Sequence, residues 1–216
     1  MSSASFGRTV EDRLREEYFD LLPDIRRSVA ELEAEVRYCL MPVSLALARH
    51  ERLVVASRVK ECESALEALR RRQEGAVFDP GRPELYSLAN LNDLAGVRVV
   101  AFPRNRCLEA DLALRGWLPP SWVPDPVPGF AEADEPLALK YHGFCRVSGK
   151  IRAEVQIVPM LTALFWEIEH SALYKPSPIL KGVASNPQMQ QRTQEVLQAL
   201  KAFEEEFANL IGPGSQ

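Results

Sequence analysis

The stretch RAEVQIVPMLTALFWEIEH, residues 152–170, changes its period halfway along, and that change restricts the chain to few architectures. Over residues 152–157 polar and apolar side chains alternate. Arg152, Glu154 and Gln156 therefore share one face of a strand, and Ala153, Val155 and Ile157 share the other. From residue 160 the spacing becomes helical, which predicts a helix over 160–174 with Leu161, Leu164, Phe165 and Ile168 inward. A sheet that packs helices on one face and holds a ligand on the other has this pattern. So does a half-exposed strand.

Other segments extend the same reading. GVRVVAF (96–102) is short and β-branched, hence a buried strand. RLVVASRV (52–59) is a strand or the continuation of a helix. KYHGFCRV and KIRAEVQIV flank a Ser-Gly pair suited to a hairpin turn. Helices are expected over 9–22 and 24–41, separated by Pro23, and over 60–73, 106–117 and 187–211. The last of these carries Leu197, Leu200, Phe203, Phe207 and Leu210. Residues 119–136 hold six prolines and four acids, which excludes a helix or a central strand and predicts a long loop. The expected class is α/β (α+β), a mixed sheet covered by helices. A helical extension over 1–50 and another over 179–216 would flank a central domain over 51–178.

The charge balance narrows the function. Of 216 residues, 26 are basic and 30 acidic, giving a net charge of -4, which is not the signature of a strongly basic nucleic-acid binder. The four cysteines form no C-x-x-C pair, so neither a zinc cluster nor a redox motif is indicated. The first residues have no apolar core like that of a signal peptide, and no apolar run approaches the ~20 residues of a membrane span. These features lead to the expectation of a soluble, cytoplasmic protein without a membrane partner.

Several residues carry potential chemistry. Lys60, Ser64 and Arg71 fall on one stripe of a helix, where an ammonium, a hydroxyl and a guanidinium can grip phosphates; a solvated helix face has the same pattern. Asp93 precedes a buried strand and is placed to hold Mg²⁺, or to cap a turn. Arg98 lies inside that strand and must face a cleft or an ion partner. Glu154 is able to share a metal with Asp93 or to take a proton from a hydroxyl. His170 and Tyr174, four apart, meet on one helix face.

In order along the chain, RVKECES (58–64), DLAGVRVV (93–100), EVQI (154–157) and EIEHSALYK (167–175) resemble the motif blocks of the RelA/SpoT-type synthetase domain, the family that makes pppGpp and ppGpp. The resemblance runs from about residue 55 to 176 and suits a small, stand-alone member. It implies a nucleotidyltransferase-like mixed sheet with helical extensions. It implies a pyrophosphokinase that moves the β,γ-pyrophosphoryl group of ATP to the 3′-hydroxyl of GDP or GTP. By position, Arg58 and Arg98 look like the pair that sandwiches adenine. Lys60, Ser64 and Arg71 look like the phosphate grip, and Asp93 with Glu154 like the Mg²⁺ ligands and catalytic acids. Tyr141, Gln156 and His170 look like the acceptor side, with Tyr141 stacking on guanine. The pattern departs at Ala68, where the family has a lysine, at Val158, where it has an arginine, and at Cys145, where it has a histidine. Most departures fall on the acceptor side. Two other readings therefore stand beside the first. One is a toxin-type relative that pyrophosphorylates tRNA 3′ ends or adenine nucleotides. The other is a non-catalytic nucleotide-binding regulator. The apolar terminal helices would serve a homo-oligomer or cover the sheet.

Overall fold

A computed structural model of the protein describes residues 9–127, 136–169, 172–173 and 179–211. Its centre is one mixed five-stranded sheet. The strands are β1 (Arg52–Val59), β2 (Ala95–Phe102), β3 (Val123–Pro124), β4 (Leu139–Phe144) and β5 (Arg152–Pro159), in spatial order β1-β2-β5-β4-β3. β2 and β5 run parallel at the centre, and the remaining pairs are antiparallel. RLVVASRV is thus a strand, and the hairpin expected around Ser-Gly is the β4–β5 pair.

The helices are α1 (Val10–Cys39), α2 (Met41–Leu45), α3 (Cys62–Arg70), α4 (Asn105–Trp117), α5 (Met160–Glu169), α6 (Lys181–Ala184) and α7 (Pro187–Ile211). α1 begins with a capping box: the Asp12 N–H donates to Thr9 Oγ1 at 3.1 Å and the Thr9 N–H donates to Asp12 Oδ2 at 3.3 Å. Instead of two helices broken at Pro23, the chain forms one helix of 30 residues with Pro23 inside it. The reason is tertiary. Val10, Leu14 and Tyr18 before the proline, and Ile25, Val29, Leu32 and Val36 after it, are buried in one core, while Pro23 sits on the solvent side. Water can satisfy the carbonyl that the missing N–H releases there.

That core lies on one face of the sheet. α1 and α4 pack against Val97, Val99, Val155 and Ile157, so the segment read as an N-terminal extension shares its core with the sheet. Glu51, buried beside the start of β1, is held by Arg106 of α4 at 2.6 Å and by the Ala48 N–H at 2.8 Å.

The other face is covered only in part. α5 lies over Val100, Val158 and Ala138 through Ala163 and Trp166. Its buried residues are Thr162 and Ala163, whereas Leu164 and Ile168, expected inward, are exposed. α7 is tied to the start of α5 by the buried Glu204, which accepts the Leu161 N–H at 2.9 Å. Burial raises the Glu204 carboxyl above its ordinary pKa. Among the described residues no helix is long and apolar enough to cross a membrane.

The Pro-rich segment contributes structure as well as loop. Val123 and Pro124 join the sheet as its edge strand, and Val127 bridges to Ala138. A proline is tolerated at an edge, where no ladder donor is required of it. Residues 128–135 lie outside the described residues.

Candidate active site

Strand register brings the polar residues of the uncovered half-face together. Arg58 on β1 lies opposite Gly96 on β2, Gly96 opposite Glu154 on β5, and Glu154 opposite His142 on β4. One step of two residues along the strands, Arg98 lies beside Gln156, and Gln156 beside Lys140. Alternation puts all of these on the same side, because side chains two apart share a face.

Gly96 is what lets the first row close. A Cβ at this position would stand 3.3 Å from Arg58 Cγ and 3.4 Å from Arg58 Nε. The Arg58 stem therefore lies across the glycine. Its guanidinium reaches beyond β2, with Nη2 at 3.9 Å from Asp93 Oδ2 and at 3.9 Å from Glu154 Oε1. A positive charge is thus held between the two carboxylates.

Asp93 sits in the turn before β2. Its partner is Lys60, whose ammonium donates to Oδ2 and whose backbone N–H donates to the Leu94 carbonyl at 3.0 Å. Lys60 is therefore not on the phosphate-gripping helix stripe. It precedes α3, which begins at Cys62 and ends at Arg70, short of the 60–73 span expected. Ser64 lies in the first turn of α3 and Arg71 is its exposed C-cap. Seven residues of helix separate those two by ~10 Å along the axis, so the three groups converge less than a single stripe implies.

Glu154 is nearly inaccessible, and its surroundings are hydrogen-bond donors and cations. Gln156 Nε2 donates to Glu154 Oε1, and Arg98 Nε donates to Gln156 Oε1 at 3.0 Å. On the far side His142 Nε2 stands 3.8 Å from Glu154 Oε2 and 3.5 Å from Asp125 Oδ2, on the residue just after β3. Arg98 is lowered from its ordinary pKa, first by burial and then by the neighbouring Arg58. Glu167 of α5 and Glu154 act in the opposite direction. Arg58 and Arg98 are thus close neighbours on one face.

Tyr141 is not part of this constellation. It pairs with Val155 and so points to the core face, where it is 4% exposed. Its hydroxyl donates to Asp111 Oδ1 and accepts from Arg115 Nε at 2.9 Å, both on α4. The guanine-stacking role read from the motif therefore fails for Tyr141, by one residue of register. The side chains that β4 does present are Lys140 and His142, which the motif reading missed. The signal for them was alternation along LKYHGF, once that strand is paired with EVQIV. Trp122 is also on the core face, with its ring against Gly143. Trp117 is half-buried under the Arg146 guanidinium. His170 and Tyr174 lie outside the described residues.

Among the described residues no three His, Cys, Asp or Glu side chains gather as a metal site. Asp93 and Glu154 form a pair. Two carboxylates fit Mg²⁺ when it is completed by substrate phosphates and water, and fit poorly a metal that needs a full protein cage.

No protein-family model matches the chain, and no curated protein is similar to it in sequence. Solved structures do match. The small alarmone synthetase 1 of Bacillus subtilis, bound to its product pppGpp, superposes with a TM-score of 0.65 over 93% of this chain and 100% of that one, at 19% identity. The same enzyme bound to AMPCPP gives a TM-score of 0.59 over 90% and 96%, at 20% identity. A GTP pyrophosphokinase family protein from Streptococcus pneumoniae gives 0.61 over 90% and 94%, at 20% identity.

Proposed function

We propose that this chain, which shares the fold of the small alarmone synthetases, is a pyrophosphokinase that transfers the β,γ-pyrophosphoryl group of ATP to the 3′-hydroxyl of GDP or GTP. The observation that carries this reading is Asp93 and Glu154 flanking one guanidinium on the open half-face, with Arg98 beside them. Nucleotides as substrates are supported by the relatives captured with pppGpp and with AMPCPP.

The chemistry follows from the layout. The acceptor's 3′-oxygen attacks the β-phosphorus of ATP. The bond from that phosphorus to the α–β bridging oxygen breaks, and AMP leaves with the electron pair. Glu154 takes or orients the hydroxyl proton, and Gln156 holds its carboxylate toward the substrate. Arg58 and Arg98 clasp the adenine. Lys60, Ser64 and the first N–H groups of α3 offset phosphate charge, and Arg71 extends this grip from the far end of the helix. Asp93 and Glu154 would hold Mg²⁺, which when bound neutralises charge on the transferred group. Catalysis is then positioning and charge stabilisation.

One observation favours a second acceptor. With Tyr141 in the core, the acceptor side presents Lys140 and His142 in place of an aromatic platform. An adenine nucleotide or a tRNA 3′ end is the competing acceptor.

The test is transfer of label from ATP carrying it on the terminal phosphate, with GDP, GTP, ADP, ATP and tRNA offered separately. Transfer to GDP or GTP is expected, and Glu154→Gln should reduce it by about a hundredfold or more while ATP affinity changes little. Transfer only to an adenine nucleotide or tRNA replaces the acceptor. ATP bound without transfer to any of them overturns the enzyme in favour of a nucleotide-binding regulator.

A further inference from the structure

Of the three polar residues that alternate on β5, the chemistry above uses Glu154 and Gln156 and leaves Arg152 without a task. Arg152 lies opposite Phe144 on β4, one row beyond the Glu154–His142 pair and on the same face. Its guanidinium carbon stands 5.1 Å from the centre of the Phe144 ring, and its Nε is buried without a hydrogen-bond partner. Among the described residues no carboxylate pairs with it. A half-buried cation whose company is one aromatic ring still has donors to satisfy. Phe144 is 48% exposed, so its ring keeps surface for a second flat partner. In the rows of Glu154 and Gln156 the acceptor side carries no ring. One row further it carries one, backed by a guanidinium.

We infer that Phe144 and Arg152 cradle the acceptor's base and select guanine, an inference that rests on the pyrophosphokinase reading above. Arg58 and Lys60 draw ATP toward β1 and α3, which leaves β4 for the acceptor to lie along. There Lys140, His142 and Phe144 share one side, about 13 Å from first to last. A nucleotide has a matching order, with 5′-phosphates at one end, the 3′-hydroxyl of the ribose in the middle and the base at the other end. With that hydroxyl at Glu154, beside His142, the Lys140 ammonium meets the phosphates and Phe144 meets the base. The reverse orientation would set the base against an ammonium and leave the ring uncovered. Phe144 can stack on any base; Arg152 does the choosing. A guanidinium has donors only. Guanine presents O6 and N7, two neighbouring acceptors that it can bond together. Adenine presents an amino donor beside N7.

The test is calorimetric titration of GDP, guanosine and ADP into the full chain saturated with a non-hydrolysable ATP analogue, because it reads the cradle whether or not turnover occurs. GDP should bind about tenfold or more tighter than ADP. Phe144→Leu should weaken GDP about tenfold, and Phe144→Trp should retain it. Arg152→Gln should narrow the ratio of GDP to ADP affinity about tenfold, since a Gln amide matches N6 and N7 of adenine. Lys140→Ala should weaken GDP more than guanosine. The analogue's own affinity should stay within about twofold in each variant, which a general loss of structure would not allow. Native protein that prefers ADP, or binds no GDP, overturns the inference. So does unchanged GDP affinity in Phe144→Leu, an unchanged ratio in Arg152→Gln, or loss of the analogue in step with GDP. Equal weakening of GDP and guanosine by Lys140→Ala overturns the orientation. The expected affinities without any label transfer to GDP or GTP would uphold the cradle and overturn the pyrophosphokinase.

Discussion

On the face turned toward α1 and α4, Val97, Val99, Val155 and Ile157 fill a continuous apolar core. One residue along the same strands, Arg58, Arg98, Glu154, Gln156 and His142 form a connected polar array open to solvent on one side. The core face is held by contacts that any apolar residue of the right volume supplies in part. The polar face is held by directional bonds in which each group depends on its neighbour. Substitutions on the two faces should therefore fail differently, the first in stability and the second in turnover.

The largest stability effect belongs to the core. Val155→Asn places an amide among apolar side chains with no partner and should cost about 3 kcal/mol or more. Gln156→Leu, its neighbour in sequence, removes the link between Arg98 and Glu154 and should leave the urea midpoint far less changed while turnover falls. Equal losses of stability in the two variants would erase the distinction between the faces.

Tyr141 and His142 sharpen the comparison to adjacent residues. Tyr141→Phe strips Asp111 of a donor and should cost about 1–2 kcal/mol, with turnover retained. His142→Phe should do the reverse, since it removes the imidazole nitrogen that faces Glu154 without opening the core. The pH dependence gives the sign. Burial first, and then the bond to Asp111, raise the Tyr141 phenol above its ordinary pKa. A neutral phenol is thus favoured by the folded state. Its stabilisation is complete below the unfolded value, about 10, and is lost as pH rises through the folded value. Native protein should lose stability over that alkaline range, and Tyr141→Phe should lose less of it.

The same pair shows where reading the sequence succeeds and where it stops. Arg98, Glu154 and Gln156 share a face that is legible because alternation within a single strand separates the two faces, and Asp93 is legible from its place just before the β-branched run of β2. The inward partner on β4 was not, because it depends on how β4 registers against β5, and one residue of slip exchanges Tyr141 for His142. α5 failed for a related reason. Helical spacing marks an apolar stripe on Leu164 and Ile168, but the sheet receives the smaller residues Thr162 and Ala163. Pro23 predicts a break because the local rule is strong. Its cost was overridden by a buried stripe that continues on both sides of it. Spacing alone puts Lys60 on a helix, whereas its backbone bond to Leu94 keeps it in line with β1.

Gly96 tests the polar face at its finest grain. It is the only atom-scale gap through which Arg58 crosses β2 among the described glycines, and the added Cβ of Gly96→Ala would press on a flexible stem. A stem can yield by a few tenths of an ångström, so the fold should lose less than about 1 kcal/mol, or gain slightly from a stiffer unfolded chain. The guanidinium, however, is aimed at Asp93 and Glu154 through that stem. Shifting it away from two carboxylates it now meets at 3.9 Å should reduce turnover about threefold to tenfold, well below the effect of losing Glu154 itself. The check is turnover beside thermal stability in the same preparation. A drop in turnover at constant stability places Arg58 among the groups whose aim matters. Unchanged turnover would mean that its positive charge serves the site from any nearby position.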